Sequence, residues 1–268
     1  MTNTQKRKET IELTIFLLWP IIAAVSSFAT KANLLASVLI FYGLPSLYLS
    51  YKMKENIKNA AIFSLIAGIL PVIMIDYLGH ITKAWVVPVS ILPWRVFGVV
   101  TLEVIVWSIG ALYVTVMFYE YFLERHITHK LVTPRLKYLL IIIIALFSVF
   151  LAKVLTSPQA VHIPHFYMWF GLIFILLPII AEGVNSPQHL TKFFKAQAYF
   201  FYLNVIYEIT ALKQGWWSFP GQEFIGWVSI SGVTFPLEEL FFYIMLMVLA
   251  LLTYFEFFER ESKKRENK

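Results

Sequence analysis

The chain has no cysteine in its 268 residues. That excludes disulfides, thiolate nucleophiles, iron–sulfur clusters and cysteine-based zinc sites. Charged residues are scarce, at 14%, where about 25% is usual in soluble domains. No Gly-x-Gly-x-x-Gly or Walker loop is present, so nothing marks a nucleotide or flavin site. The histidines fall between apolar runs or at their ends; His162 and His165 flank Pro164 and read as plain loop residues. No metal or other cofactor is therefore expected. A lysine in mid-run is also missing, which excludes a retinal Schiff base: Lys153 lies near the end of a run, and Lys83 and Lys213 lie between runs. What is abundant is apolar surface, with 59% of residues hydrophobic and a mean hydropathy of +0.72. A water-soluble domain of this length cannot hide so much of it. One bilayer-spanning helix needs about 20 apolar residues, so the chain has material for roughly eight. The expected class is an all-α, multi-pass integral membrane protein.

Eight runs qualify as spans: 11–29, 34–51, 60–79, 97–122, 136–155, 166–181, 198–212 and 233–258. The first runs on into further spans without a small-residue cleavage site, so it is not read as a signal peptide. Lys and Arg divide 17 to 5 between the two sets of loops, the larger share including both ends of the chain. By the positive-inside bias, both termini are expected in the cytoplasm. The net charge of +6 follows this topology and gives no reason to expect nucleic-acid binding.

The chain also repeats itself. Asp76, Trp85 and Pro88 recur as Glu208, Trp217 and Pro220, 132 positions later. Leu102-Glu103 and Glu124-Arg125 recur as Leu237-Glu238 and Glu259-Arg260, 135 positions later. The expected organisation is two four-helix repeats in parallel orientation, residues 11–130 and 131–260, with cytoplasmic tails 1–10 and 261–268. Repeats related by an axis along the membrane normal commonly form a site at their interface.

Ionisable groups within spans are costly, and by default they suggest function. Asp76 and Glu208 lie near the outer ends of the third and seventh runs. Glu103, Glu238 and Glu239 lie one to two turns into the fourth and eighth, so all five acids share one depth. Glu120, Glu182 and Glu256 are expected to snorkel to the cytoplasmic surface. Glu238 and Glu239 are adjacent, so on a regular helix they diverge by about 100°. The repeat pairs Glu238 with Glu103 but Glu239 with Val104. Glu238 is therefore expected to face Glu103 across the axis and to be the more important acid. Thr234, Phe235, Phe241, Phe242 and Met245 surround it at helical spacing, and Pro236 is placed in the first helical turn, where its missing N–H costs nothing. Aromatic residues make up 17% of the chain. Many suit an interfacial belt, while Trp85, Trp107 and Trp217 can also line a pocket beside the acids and face a transient cation.

The segment Gly232-Val233-Thr234-Phe235-Pro236-Leu237-Glu238-Glu239-Leu240-Phe241-Phe242, with Gly215-Trp216-Trp217 upstream, resembles the membrane-integral, non-flavin lycopene cyclases. Their motif is Pro-x-Glu-Glu at the head of a span, preceded by an acid and an aromatic-rich loop. The resemblance extends over about residues 34–260 and matches the fused, two-repeat form of the family. The first half departs from it: Thr101-Leu102-Glu103-Val104 keeps one acid and lacks the proline. The resemblance implies protonation of the terminal double bond of lycopene or a related polyene, closure of a ring through a carbocation, and loss of a proton. The reaction has no net redox change and no cofactor. It implies Glu238 as acid, with Glu103, Asp76, Glu208 and Glu239 in supporting or base roles. Trp85, Trp107, Trp217, Phe235, Phe241 and Phe242 would contact the substrate. Partners would be the hydrophobic polyene and lipid, with association with other carotenoid enzymes or a second copy compatible with this. Two rivals remain open at this point: a carotenoid hydratase, which shares the protonation step, and a proton-coupled transporter, which needs polar residues deep in several spans.

Overall fold

The computed structural model describes residues 3–124, 136–156 and 162–266. It is 75% helical. The helices are α1 (Asn3–Ala29), α2 (Leu34–Lys52), α3 (Lys54–Ile81), α4 (Leu102–Phe122), α5 (Leu136–Thr156), α6 (Phe166–Asn185), α7 (Pro187–Gln214) and α8, which has a wide turn at Glu239–Ile244 followed by Met247–Glu266. Among the described residues, α1 (from Thr10), α2, α3, α4 and α6 are long and apolar enough to cross a membrane. The apolar parts of α5 and α8 are shorter, Leu140–Thr156 and Met247–Phe257. α4 packs on α2 and α3, and α7 packs on α1 and α8. Leucines, isoleucines and valines of α1 and α5, including Ile15, Leu18, Ile22, Ile142, Leu146 and Val149, point outward. Exposure of so large an apolar surface to water is unfavourable, whereas hydrocarbon tolerates it.

α7 carries several polar side chains into the bundle. It has 28 residues, about 42 Å at 1.5 Å per residue. Its Gln197, Glu208 and Thr210 are buried among the other helices. Gln197 has a definite task. α8 is interrupted at Met245-Leu246, and Gln197 donates to the Ile244 carbonyl at 3.0 Å and accepts from the Val248 N–H at 3.1 Å. In a membrane interior no water is at hand to satisfy those groups.

α2 and α6 each contain a wide, i→i+5 turn, Leu39–Gly43 and Gly171–Leu176, followed at once by Leu44-Pro45 and Leu177-Pro178. Proline donates no backbone hydrogen bond, and side chains from neighbouring helices compensate. The Trp19 indole N–H reaches the Ile40 carbonyl at 3.1 Å, and the Tyr254 hydroxyl reaches the Phe174 carbonyl at 3.0 Å.

The all-α membrane class agrees with the structure, and three finer expectations are corrected. First, residues 95–101 and 227–236 form two antiparallel hairpins, β1 (Arg95–Val96) with β2 (Val100–Thr101) and β3 (Trp227–Ile230) with β4 (Val233–Pro236), so the fourth and eighth runs do not open as helices. Ser231 and Gly232 both have positive φ, 52° and 80°, the requirement of a two-residue hairpin turn. Secondly, the fourth run becomes helical only at Leu102, where Thr101 caps it by accepting the Val104 N–H. Pro236 ends β4 instead of entering the helix. Thirdly, Glu120, Glu182 and Glu256 are buried, because they find partners inside: Asn56 for Glu120, His189 for Glu182 and the Tyr119 hydroxyl for Glu256, at 2.9, 3.0 and 2.7 Å. Helix α1 starts at Asn3 and α8 runs to Glu266. The expected boundary at residues 130 and 131 lies outside the described residues.

Candidate functional site

The five acids expected at one depth divide into three kinds. Glu103 and Glu238, at the heads of α4 and α8, are fully buried and turn toward the loops ahead of their own hairpins. Glu103 accepts from Ser90 Oγ at 2.8 Å and from the Ile91 and Leu92 N–H groups at 2.7 and 3.3 Å. Glu238 Oε1 accepts from the Ile225 N–H at 2.7 Å, while its Oε2 is buried without a hydrogen bond. Each of the two glutamates thus holds a loop ahead of a hairpin, and among the described residues no hydrogen bond joins them. Glu103→Ala is accordingly expected to lower stability by about 1–3 kcal/mol for each donor left unpaired, read as thermal unfolding in detergent; an unchanged midpoint would refute the anchoring role.

Asp76 and Glu208 are the second kind. Each accepts an indole N–H from the tryptophan nine positions on: Trp85 to Asp76 at 2.7 Å and Trp217 to Glu208 at 2.9 Å. The loops carrying the two indoles touch at Val86 and Ser218, which exchange N–H···O bonds of 2.9 and 3.0 Å. These residues are also 132 positions apart.

Glu239 is the third kind. The residue 135 positions before it is Val104, so Glu239 has no acidic counterpart at that spacing. Glu239 is buried and accepts a hydrogen bond from the Tyr167 hydroxyl at the head of α6. Tyr243 stacks on Tyr167 with ring centroids 4.2 Å apart, and the Trp85 ring lies 5.0 Å from Tyr167 on its way to Asp76. The wide turn at Glu239–Ile244 carries Tyr243, whose hydroxyl donates to the Tyr167 carbonyl at 3.3 Å. Asp76 and Glu239 thus belong to one aromatic cluster, built from α3, α6, α8 and the loop after α3.

The aromatic candidates fare unequally. Trp85 lies between the two acids as described. Phe242 is buried against Gly171, where a Cβ would stand 2.3 Å from its ring. Phe235 is fully buried beneath the second hairpin with Val233 and Ile244, and Trp217 packs 5.4 Å from Tyr207. The Trp107 N–H is buried without a hydrogen bond. Phe241 is 54% exposed and turns to the outside of the bundle. Tyr167 and Tyr243 escaped the sequence reading. The available signal was the aromatic run Phe166-Tyr167-Met168-Trp169-Phe170 opening a span at the depth of the acids.

A small cavity of about 10 Å³, room for about one water, lies against this cluster on the hairpin side, lined by Thr82, Ala84, Phe166, Tyr167, Gly221, Glu223 and Phe224. Gly221 is required for its walls to meet, because a Cβ there would stand 2.7 Å from the Lys83 carbonyl oxygen. Comparison with protein families, with curated proteins and with solved structures finds no match to this chain.

Proposed function

We propose that this protein is a carotenoid cyclase of the lycopene type. It would have eight spans in two parallel four-helix repeats and both termini in the cytoplasm. The reciprocal Val86–Ser218 bridge, the paired indole–carboxylate contacts and the 17 to 5 distribution of basic residues support that architecture. The observation that carries the chemistry is the pair of buried carboxyl groups, Asp76 and Glu239, held in one cluster by Trp85 and Tyr167. In this reading Glu239 gives a proton to the terminal double bond of the polyene. The neighbouring double bond closes on the resulting cation, and Asp76 takes a proton from the carbon beside the new cationic centre. Trp85 and Tyr243 offer ring faces to the cation, worth up to about 2 kcal/mol each when desolvated. Apolar surroundings keep water from capturing it. Glu103 and Glu238 hold the loops over the site, and Glu208 does for the second half what Asp76 does for the first without a facing acid. The substrate enters from lipid, and no cofactor is required.

The test is expression in a lycopene-accumulating bacterium followed by pigment chromatography. Conversion of lycopene to a ring-bearing isomer of the same mass is expected. Unchanged lycopene beside membrane-inserted protein would refute the proposal, and a hydroxylated linear product would assign the same first step to a hydratase. Reporter fusions after Lys268 check the orientation: only a cytoplasmic reporter should be active.

A further inference from the structure

The proposed reaction, on which this inference rests, consumes one proton and releases one. The substrate is isomerised without net change, but each turnover leaves Glu239 deprotonated and Asp76 protonated. A proton must return to Glu239 before the next turnover. It does not pass through Trp85, because an indole N–H donates and does not accept. A phenol does both, and the Tyr167 hydroxyl is bonded to Glu239. Tyr167 also lines the hairpin-side cavity. The same cavity is lined by the half-buried Glu223, whose Oε2 accepts the His165 N–H at 3.1 Å.

We propose that Tyr167 relays protons to Glu239, and that Glu223 takes them from solvent through this cavity. Both are positioning residues, acting through Glu239 and not on the substrate. The cavity is a built feature, since Gly221 lets the loops of the two halves close around it. The return step is proton transfer from water or Glu223 to the Tyr167 oxygen, as Tyr167 passes its own proton to the Glu239 carboxylate. Asp76 releases its proton to solvent, so the cycle balances.

Glu223 also holds the backbone of His165, which has a left-handed φ of 51°. A purely structural role is therefore the alternative. The two roles are separated by comparing rates in nanodiscs with enzyme in excess over lycopene and with lycopene in excess, each per unit of inserted protein. The first regime uses the proton already on Glu239, whereas the second requires its return. Glu223→Gln is expected to keep the single-turnover rate within about twofold and to lose about tenfold in steady state. Tyr167→Phe keeps the stacked ring but also removes the hydroxyl that holds Glu239, so both regimes are expected to fall, the steady state further than the single turnover. Equal losses in both regimes, or an unchanged steady state, would overturn the relay. A wild-type protein that forms no product removes the underlying reaction as well, and is distinguished by that fact.

Discussion

Glu239→Gln is expected to insert normally and to lose turnover by about 10²–10⁴-fold, the usual worth of a general acid. Glutamine keeps the size of the side chain and an oxygen that accepts from Tyr167, but it has no proton to give. The same change at Glu238 is expected to be mild. There the amide oxygen still accepts the Ile225 N–H, the contact that holds the loop. This order reverses the one predicted from the repeat, which favours Glu238 because only Glu238 has an acidic counterpart. The reason is geometric: Glu103 and Glu238 each accept backbone N–H groups of the loop ahead of a hairpin. The acid that appears once stands where Tyr167 and Trp85 meet. Product per unit of inserted protein, for both variants in the same membranes, decides it. An inactive Glu238→Gln beside an active Glu239→Gln would return the acid role to Glu238.

The second large effect is expected from adding one methyl group to Gly79, one helical turn after Asp76. In Gly79→Ala the new Cβ would lie 2.5 Å from Trp85 Cε2 and Cζ2, closer than carbon atoms approach. The indole must move, and it is held on one edge by Asp76 and packed on Tyr167. A misplacement of about 1 Å in a reacting arrangement costs up to about 10²-fold, and overpacking lowers stability by about 1–3 kcal/mol. Gly110→Ala is the control, because its Cβ would meet Tyr42 Cβ at an ordinary 3.6 Å. It should leave both rate and stability nearly unchanged. Equal behaviour of the two variants would mean that the position of Trp85 does not matter to turnover.

Much was determined by the sequence alone. A period of hydrophobicity long enough to span a bilayer is a local property, so the runs at 34–51 and 166–181 match α2 and α6 closely at their starts. The spacings of Asp76 to Trp85 and Glu208 to Trp217 likewise survive as hydrogen bonds, since nine positions across a helix end is a short reach. The hairpins were hidden because Val233, Phe235 and their neighbours are apolar whether they enter a strand or a helix. Only the positive φ values at Ser231 and Gly232 divide the segment. The burial of Glu120, Glu182 and Glu256 depended on partners from other helices, which no span reveals by itself. The meeting of Asp76 with Glu239 is of the same kind. It needs α6 to bring Tyr167 between them and a wide turn in α8 to aim Tyr243 at the same point. Hydropathy and spacing report what a segment does along its own axis. Which face it turns to a neighbour is decided by packing, because the helices must together satisfy every polar group that lipid leaves without water.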